Sequence, residues 1–414
     1  MNPITDPKSP SESFPISPRM LSAAAHRLLF FTGAANVLLA MAWWAVYLVD
    51  ARWQLIGLPH APVFAGWAHA FVMQYQVLPP FIFGFLLTVF PRWMGQSELS
   101  RWQYLPVGAA MLSGQLLFLA GLFGFPTLAH LGVVATMIGW TLGLAFLMRL
   151  LWRDGGKTWH AVSCVAALSF GWLGLVLFAL YLHFDDARLV LVSIKLGSFG
   201  LLLPIFFTVA HRMFPFFAGN VVPGYHAWRP LWLLAAFWPL ALMHLSLELG
   251  HFYTWLWLAD GPLLTLCAYW LYRNAPRGET PALLRVLFLG YAWLPISLLL
   301  YATQSLWFLY DGDFELGRAP AHALFIGFFG SLMVAMVTRV TQGHAGRPLQ
   351  LGRVAGFAFC IIQSVAVLRI FAEVMTDAPL WQAVAALGWI VAFLPWVLRS
   401  SFIYLTPRID AKPG

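Results

Sequence analysis

Residues 160–182, HAVSCVAALSFGWLGLVLFALYL, form an apolar segment without a charged side chain. A helix needs about 20 such residues to cross the hydrocarbon core of a bilayer. Similar segments recur along the chain and predict about twelve transmembrane helices joined by short loops. We expect them at 27–49, 63–90, 104–125, 128–151, 160–182, 189–211, 230–248, 253–272, 283–308, 319–340, 353–374 and 380–404. The second, sixth and tenth segments each end near an arginine, a similarity too faint to define an internal repeat.

The composition also indicates a membrane protein. Hydrophobic residues make up 61% of the 414 residues and charged residues only 10%, whereas soluble domains carry about 25% charged residues. The predicted fold class is therefore an all-α, polytopic integral membrane protein whose main partner is the lipid bilayer. We expect residues 1–26 to form a disordered tail rich in Pro and Ser, 27–404 the transmembrane domain, and 405–414 a short second tail.

The positive charge predicts the orientation of the helices. The net charge is +8, and in the twelve-helix arrangement nineteen of the 24 Lys and Arg residues fall on the side of the N-terminus. Three, Arg52, Arg188 and Arg318, fall on the other side, and two lie within spans. Because cytoplasmic loops are enriched in Lys and Arg, both termini are predicted to be cytoplasmic. This placement accounts for the basic charge and excludes a nucleic-acid partner.

Histidines are the best candidates for functional residues, because ionisable groups within a bilayer are costly and often functional. His69, His244 and His322 fall at similar depth in the outer half, on different helices, so we expect them to converge. Imidazole is a common ligand of haem iron and copper. His344 lies 22 residues after His322, roughly 33 Å along a helix, so these two cannot share one metal. His211 and His344 are the candidates at the inner face, where helix capping is the alternative role.

Five charged residues also fall within the outer half of the spans: Lys195, Glu248, Asp260, Arg369 and Glu373. Glu248 lies four residues after His244 on the same helical face, which suits a carboxylate that orients a ligating imidazole. Arg369 and Glu373 are also four residues apart and are expected to pair. Arg369 is a candidate partner for an anionic group such as a haem propionate. The alternative is a set of structural ion pairs near the interface.

Several segments resemble the NnrS family of multi-pass membrane proteins. The most specific runs from Ala321-His322-Ala323 through Gly330-Ser331-Leu332-Met333 and Thr338-Arg339-Val340 to Gly343-His344-Ala345-Gly346-Arg347-Pro348. It is similar to the histidine-to-G-H-x-G-R-P segment of that family. Shorter similar segments are Gly84–Pro91 with Trp93 and Gly95, Arg212–Phe217, and Tyr291–Pro295.

The resemblance implies an inner-membrane protein that contains b-type haem and copper and is linked to nitric oxide metabolism or nitrosative stress, with nitric oxide as a gaseous ligand. By motif position it implies His69, His322 and His344 as metal ligands. One segment departs from the family. Ala70 stands where the family typically has Glu, and Met73-Gln74-Tyr75-Gln76 replaces a glycine-rich stretch. This departure predicts a site near His69 that is altered, or has lost a cofactor, relative to the family.

Two other functions suit about twelve spans. A secondary transporter of a small solute, without a metal centre, would use broken helices, and Pro79-Pro80 and Pro204 are candidate breaks. A haem–copper oxidase or nitric oxide reductase core uses clustered histidines, some of them adjacent, and the sequence has no His-His pair. Catalytic residues stay unassigned. The sequence leaves open whether the centre performs chemistry, senses nitric oxide or protects against it.

Overall fold

Twelve long helices make up most of the described residues, 15–410, of the computed structural model. No strand occurs among these residues, which confirms the all-α prediction. The helices are Ala25–Trp53 (α1), Ala65–Trp93 (α2), Arg101–Gly121 (α3), Pro126–Asp154 (α4), Trp159–Phe184 (α5), Ala187–Gly219 (α6), Leu231–Leu249 (α7), Trp257–Asn274 (α8), Ala282–Asp311 (α9), Ala319–His344 (α10), Arg353–Phe371 (α11) and Ala378–Tyr404 (α12).

Eleven of these helices are long and apolar enough to cross a bilayer. The exception is α8, which has 18 residues and carries a buried aspartate, Asp260. Near one end of α8, Asp260 contacts His244 of α7. At the other end, the Tyr225 hydroxyl, which precedes α7, donates to the Asn274 carbonyl oxygen at 2.9 Å. Helix α8 therefore runs antiparallel to α7 and beside it.

Helices α2, α6 and α10 form the centre of the bundle. In their most apolar stretches 94%, 67% and 83% of the residues are buried within the protein, against 39–61% in the other eight long spans. The remaining helices pack around them in the order α1, α3, α4, α5, α7, α8, α9, α11 and α12, and α12 packs back against α1. Each central helix is thus the second in a consecutive set of four. The faint similarity of the second, sixth and tenth segments corresponds to this repeated position.

Each central helix contains one π-helical segment: Val72–Val77 in α2, Leu196–Leu202 in α6 and Ala323–Gly330 in α10. Such segments are rare and frequently lie at functional sites. In α2 and α6 the wider turn directly precedes the prolines, which lack an N–H and obstruct the preceding turn. Both helices continue through their prolines, so the breaks expected of a transporter do not occur at these positions.

A buried amide satisfies a backbone group that Pro80 leaves unpaired. In an α-helix the Gln76 carbonyl oxygen would accept from the N–H of residue 80, but proline has none. The side-chain amide of Asn36, fully buried in α1, donates to this oxygen at 2.7 Å. Unpaired backbone groups are costly within a bilayer. This hydrogen bond therefore stabilises the contact between α1 and the central helix α2.

Both ends of the described chain lie at the same end of the bundle. The Ser17 N–H donates to the Leu405 carbonyl oxygen at 2.9 Å. Of the two predicted tails, residues 1–14 and 411–414 lie outside the described residues, whereas Pro18–Ser22 form a short 3₁₀ helix. An even number of crossings explains why the two ends meet. Their cytoplasmic location stays a prediction.

Candidate functional site

Two of the predicted ligands, His69 and His322, meet at one end of the central helices. His69 lies in the first turns of α2, and His322 directly precedes the π-helical segment of α10. The two residues lie near the beginning of α2 and of α10, and both side chains are half-buried. The Trp44 ring of α1 stacks on the His69 ring, with centroids 4.2 Å apart and planes 11° from parallel. This stacking fixes the plane of the His69 imidazole.

The hydrogen bonds of these two rings leave nitrogen atoms free for a ligand. His322 Nδ1 lies 2.9 Å from the Arg318 carbonyl oxygen. A carbonyl oxygen can only accept, so Nδ1 carries the proton and Nε2 keeps its lone pair. Ligating histidines commonly have this arrangement, because the hydrogen bond on the other nitrogen orients the ring. His69 has no hydrogen-bond partner in the part of the chain that the structure describes.

Two arginines give this end of the bundle an excess of positive charge. Arg369 of α11 pairs with Glu373, which confirms the predicted pair at a spacing of four residues. The backbone N–H of Arg318 donates to the Glu373 carboxylate at 3.1 Å. Both guanidinium groups interact electrostatically with His69 and His322. Two arginines and one carboxylate beside two imidazoles form a surrounding that suits an anionic cofactor. We call these five residues the His69–His322 site.

His244 belongs to a separate cluster, fully buried between α6, α7 and α8. Its Nδ1 lies 2.6 Å from Asp260 Oδ1 on α8, and its Nε2 lies 3.5 Å from Glu248 Oε2 on its own helix. Glu248 also pairs with Lys195 of α6. No contact in the described structure joins this cluster to the His69–His322 site. The three histidines that we expected to converge therefore form two groups, because α7 lies outside the central three helices.

At the opposite end of the bundle, His344 stacks on His26, with ring centroids 4.3 Å apart and planes at 30°. The two rings line a cavity of about 60 Å³ together with Arg92, Glu98 and Tyr104. His26 Nδ1 is buried and has no hydrogen-bond partner among the described residues. Buried polar atoms nearly always have a partner. The unpartnered nitrogen therefore marks this cavity as a second candidate binding site.

The turn after α10 positions His344. Gly346 has a φ of +68°, in the left-handed region that favours glycine. Gly343 is still helical, because α10 continues to His344. The Ile409 N–H donates to the Ala345 carbonyl oxygen at 3.2 Å, so the C-terminal segment satisfies one of the last acceptors of the helix. The turn and the C-terminal segment together fix the end of α10.

His211 lies in a chain of hydrogen bonds. Its Nε2 is 3.2 Å from the Pro230 carbonyl oxygen and its Nδ1 is 3.0 Å from His160 Nε2, while His160 Nδ1 is 3.4 Å from an Arg212 nitrogen. A guanidinium can only donate and a carbonyl oxygen can only accept. The protons are therefore directed from Arg212 to His160, from His160 to His211, and from His211 to Pro230. Both nitrogens of His211 have protein partners, which favours a hydrogen-bonding role over metal ligation.

Most residues that carry the sequence resemblance lie on the central helices α2, α6 and α10 and at their ends, while Tyr291–Pro295 lies in α9. The family model described as NnrS protein matches residues 20–408, nearly the whole chain. The chain belongs to the NnrS family. No curated protein matches the sequence significantly. The most specific NnrS-like segment forms α10 and the turn after it, and it supplies one histidine to each pair.

In α2, the residues that depart from the NnrS pattern form hydrogen bonds with α6. The Gln74 amide donates to the Ile194 carbonyl oxygen at 3.1 Å and to Ser198 Oγ at 2.9 Å. The Tyr75 hydroxyl donates to the Ser193 carbonyl oxygen at 2.6 Å. These acceptors lie where α6 changes to π-helix and its regular hydrogen bonding is interrupted. The departing stretch thus joins two central helices, and it lies one to two turns after His69.

Sequence reasoning missed the roles of His26, Trp44 and Asp260. One signal for Asp260 was present, because antiparallel helices joined by a short turn bring together residues equally distant from it. His244 and Asp260 each lie eight residues from position 252, which is in the turn between α7 and α8. His26 shares its depth with His344, but α1 and α10 are far apart in sequence. No local pattern links Trp44 to His69.

Proposed function

We propose that this NnrS protein binds a b-type haem between α2 and α10, with His69 and His322 as ligands of the iron, and takes part in handling nitric oxide. The observation that supports the proposal is the placement of two imidazoles at the same end of the central helices α2 and α10, with His322 Nε2 and both His69 nitrogens free of hydrogen bonds in the described structure. Neutral imidazole is a common axial ligand of haem iron. Haem iron supplies one-electron chemistry. With both imidazoles bound, a diatomic gas would reach the iron only by displacing one of them.

The other residues of the site have roles that suit a haem. Arg318 and Arg369 would provide positive charge for the anionic propionates. Glu373 pairs with the Arg369 guanidinium and accepts the backbone N–H of Arg318. The Arg318 carbonyl oxygen orients the His322 ring, and Trp44 orients the His69 ring. These contacts orient the two rings that would ligate the iron.

The second proposed cofactor, copper, fits the cavity at His26 and His344. Imidazole nitrogen is a suitable ligand for copper, and the buried His26 Nδ1 has no other partner in the described structure. Two protein ligands leave further coordination positions open for a small molecule, as in catalytic metal sites. The neighbouring arginines do not exclude a cation, because Arg92 pairs with Glu98 at 2.9 Å and Arg408 pairs with Asp410 at 2.7 Å.

Optical spectra and metal analysis of the purified protein test the haem proposal. We expect a haem signal in the reduced-minus-oxidised spectrum of the wild type, and its loss in His69→Ala and His322→Ala without loss of helical content. His183→Ala is the matched control, because His183 is exposed at the end of α5. If both site variants fold and keep full haem occupancy, the ligands lie elsewhere. A wild type without visible absorbance or bound metal would favour the transporter alternative.

The orientation is proposed from the distribution of Lys and Arg. We infer that the bundle lies in a bacterial inner membrane, with His26 and His344 near the cytoplasmic side and the His69–His322 site near the outer side. Reporter fusions after Gly414 and at Gly278 are then cytoplasmic, while fusions in the loops that follow α5 and α9 are external. An external C-terminus would contradict this orientation.

A further inference from the structure

A second, partly open cavity lies between α2, α6 and α10. Its volume is about 70 Å³, and its wall consists entirely of apolar side chains. Leu78 of α2, Ala210 of α6 and Val337 of α10 are among them, and Phe30 of α1 completes the wall. No histidine and no charged residue lines the cavity, so it is distinct from both histidine sites.

The cavity lies between the two histidine sites along the helices. Its wall on α10 runs from Leu332 to Val340, after His322 and before His344. Phe30 in the same wall also packs edge-on against His26, with ring centroids 6.1 Å apart. A molecule in the cavity would therefore be separated from the cytoplasmic-end histidine pair by little more than one aromatic ring.

The chemistry of the wall restricts the occupant. A buried water needs about two to four polar partners, and this wall offers none. Apolar cavities of about 150 Å³ are known to stay dry and to bind benzene or xenon. A cavity of half that size suits a molecule of a few atoms without strong hydrogen-bonding groups. The histidine ligands and propionate partners that a haem requires are absent from this wall.

We propose that the central cavity binds a small apolar gas molecule and holds it between the two histidine sites. The proposal that the cavity binds a gas is based on its apolar wall and its volume. Its assignment to nitric oxide rests on the proposed function. In that role the cavity concentrates the gas within the bundle, because a nonpolar diatomic molecule partitions from water into an apolar space.

Xenon is the probe for the cavity, because it needs no cofactor. Crystals of the full chain pressurised with xenon should show an anomalous peak enclosed by Phe30, Ala210 and Val337. Ala210→Phe fills the cavity from α6 and should abolish the peak. Val209→Phe, from the next position of the same wall, is the second filling variant should the first fail to fold. Ala109→Phe is the matched control, because Ala109 lies on the exposed face of α3, and it should keep the peak.

The proposal would be overturned if the wild-type cavity stays empty under xenon or contains a lipid chain. A xenon peak that persists in both filling variants would also overturn it. The nitric oxide assignment has its own measurement, the rate at which nitric oxide combines with the haem-loaded protein. The filling variants should slow this rate several-fold, whereas Ala109→Phe should not. If the purified protein contains no haem, the proposed function fails while the xenon result still decides the cavity. Unchanged rates with a lost xenon peak would refute the nitric oxide assignment alone.

Discussion

The buried pair of His244 and Asp260 provides a test of whether His244 is structural or a ligand. Asp260→Leu removes the carboxylate that lies 2.6 Å from His244 Nδ1, and both side chains are fully buried. Breaking a buried pair by removing one partner costs about 3–5 kcal/mol. Two observations indicate that the cost for this pair lies at the lower end of that range. Asp260 Oδ2 already lacks a partner, and Glu248 remains 3.5 Å from the other imidazole nitrogen. We therefore expect the free energy of unfolding to fall by about 3 kcal/mol.

Replacing both partners should restore most of this stability. In the double variant His244→Phe, Asp260→Leu the buried pair is removed as a unit, and Glu248 loses its 3.5 Å contact but keeps Lys195. Buried pairs replaced by apolar residues are often neutral. A phenylalanine at 244 can keep the stacked contact with Phe199, now at 3.5 Å between centroids, and the edge contact with Tyr301 at 5.2 Å. We expect the double variant to lie within about 1 kcal/mol of the wild type.

The measurement is unfolding by SDS titration in mixed micelles, followed by tryptophan fluorescence, together with the haem-to-protein ratio of each variant. Asp313→Leu, in the exposed loop after α9, is the control and should change the free energy of unfolding by less than about 0.5 kcal/mol. If Asp260→Leu is no more destabilising than this control, the structural role of the pair is refuted. If the double variant folds normally but loses haem, His244 is a ligand after all.

Three further predictions concern the helices and the turn near the two sites. His344→Gln should keep near-normal expression and melting temperature but reduce metal or haem content; unchanged spectra with a lower melting temperature would make His344 structural. Asn36→Ala should lower the free energy of unfolding in SDS titration. The loss should be smaller in a Pro80→Ala background, because residue 80 then supplies the helical N–H donor for the Gln76 carbonyl oxygen. A coupling energy between Asn36 and Pro80 below about 0.5 kcal/mol would contradict this. Gly174→Val should lower the free energy of unfolding by about 1–3 kcal/mol or more, because its Cβ would meet the Tyr75 hydroxyl, and a stability equal to the wild type in the same titration would refute this contact.

Properties set by local sequence were predictable for this chain. The helices at 160–182 and elsewhere follow from the hydrocarbon thickness, since a segment of that length must satisfy its own backbone hydrogen bonds. The pair of Arg369 and Glu373 follows from their spacing of four residues, although α11 ends at Phe371 and Glu373 lies in the turn that follows. The depth of each histidine follows from helix rise and from the alternating direction of the spans. The family could be inferred for the same reason, because its most specific segment is continuous, from His322 to Pro348.

The lateral arrangement was not predictable from the sequence. Within a bilayer, lipid chains are as apolar as leucine, so hydrophobicity does not tell which helix is central or which face points inward. Packing decides these properties, and it places α2, α6 and α10 at the centre. The same packing brings His69 to His322 and His26 to His344 while it separates His244 from both pairs. The depth of a histidine in the bundle is set by its own helix. The residue it contacts is set by the packing of helices that are distant in the sequence.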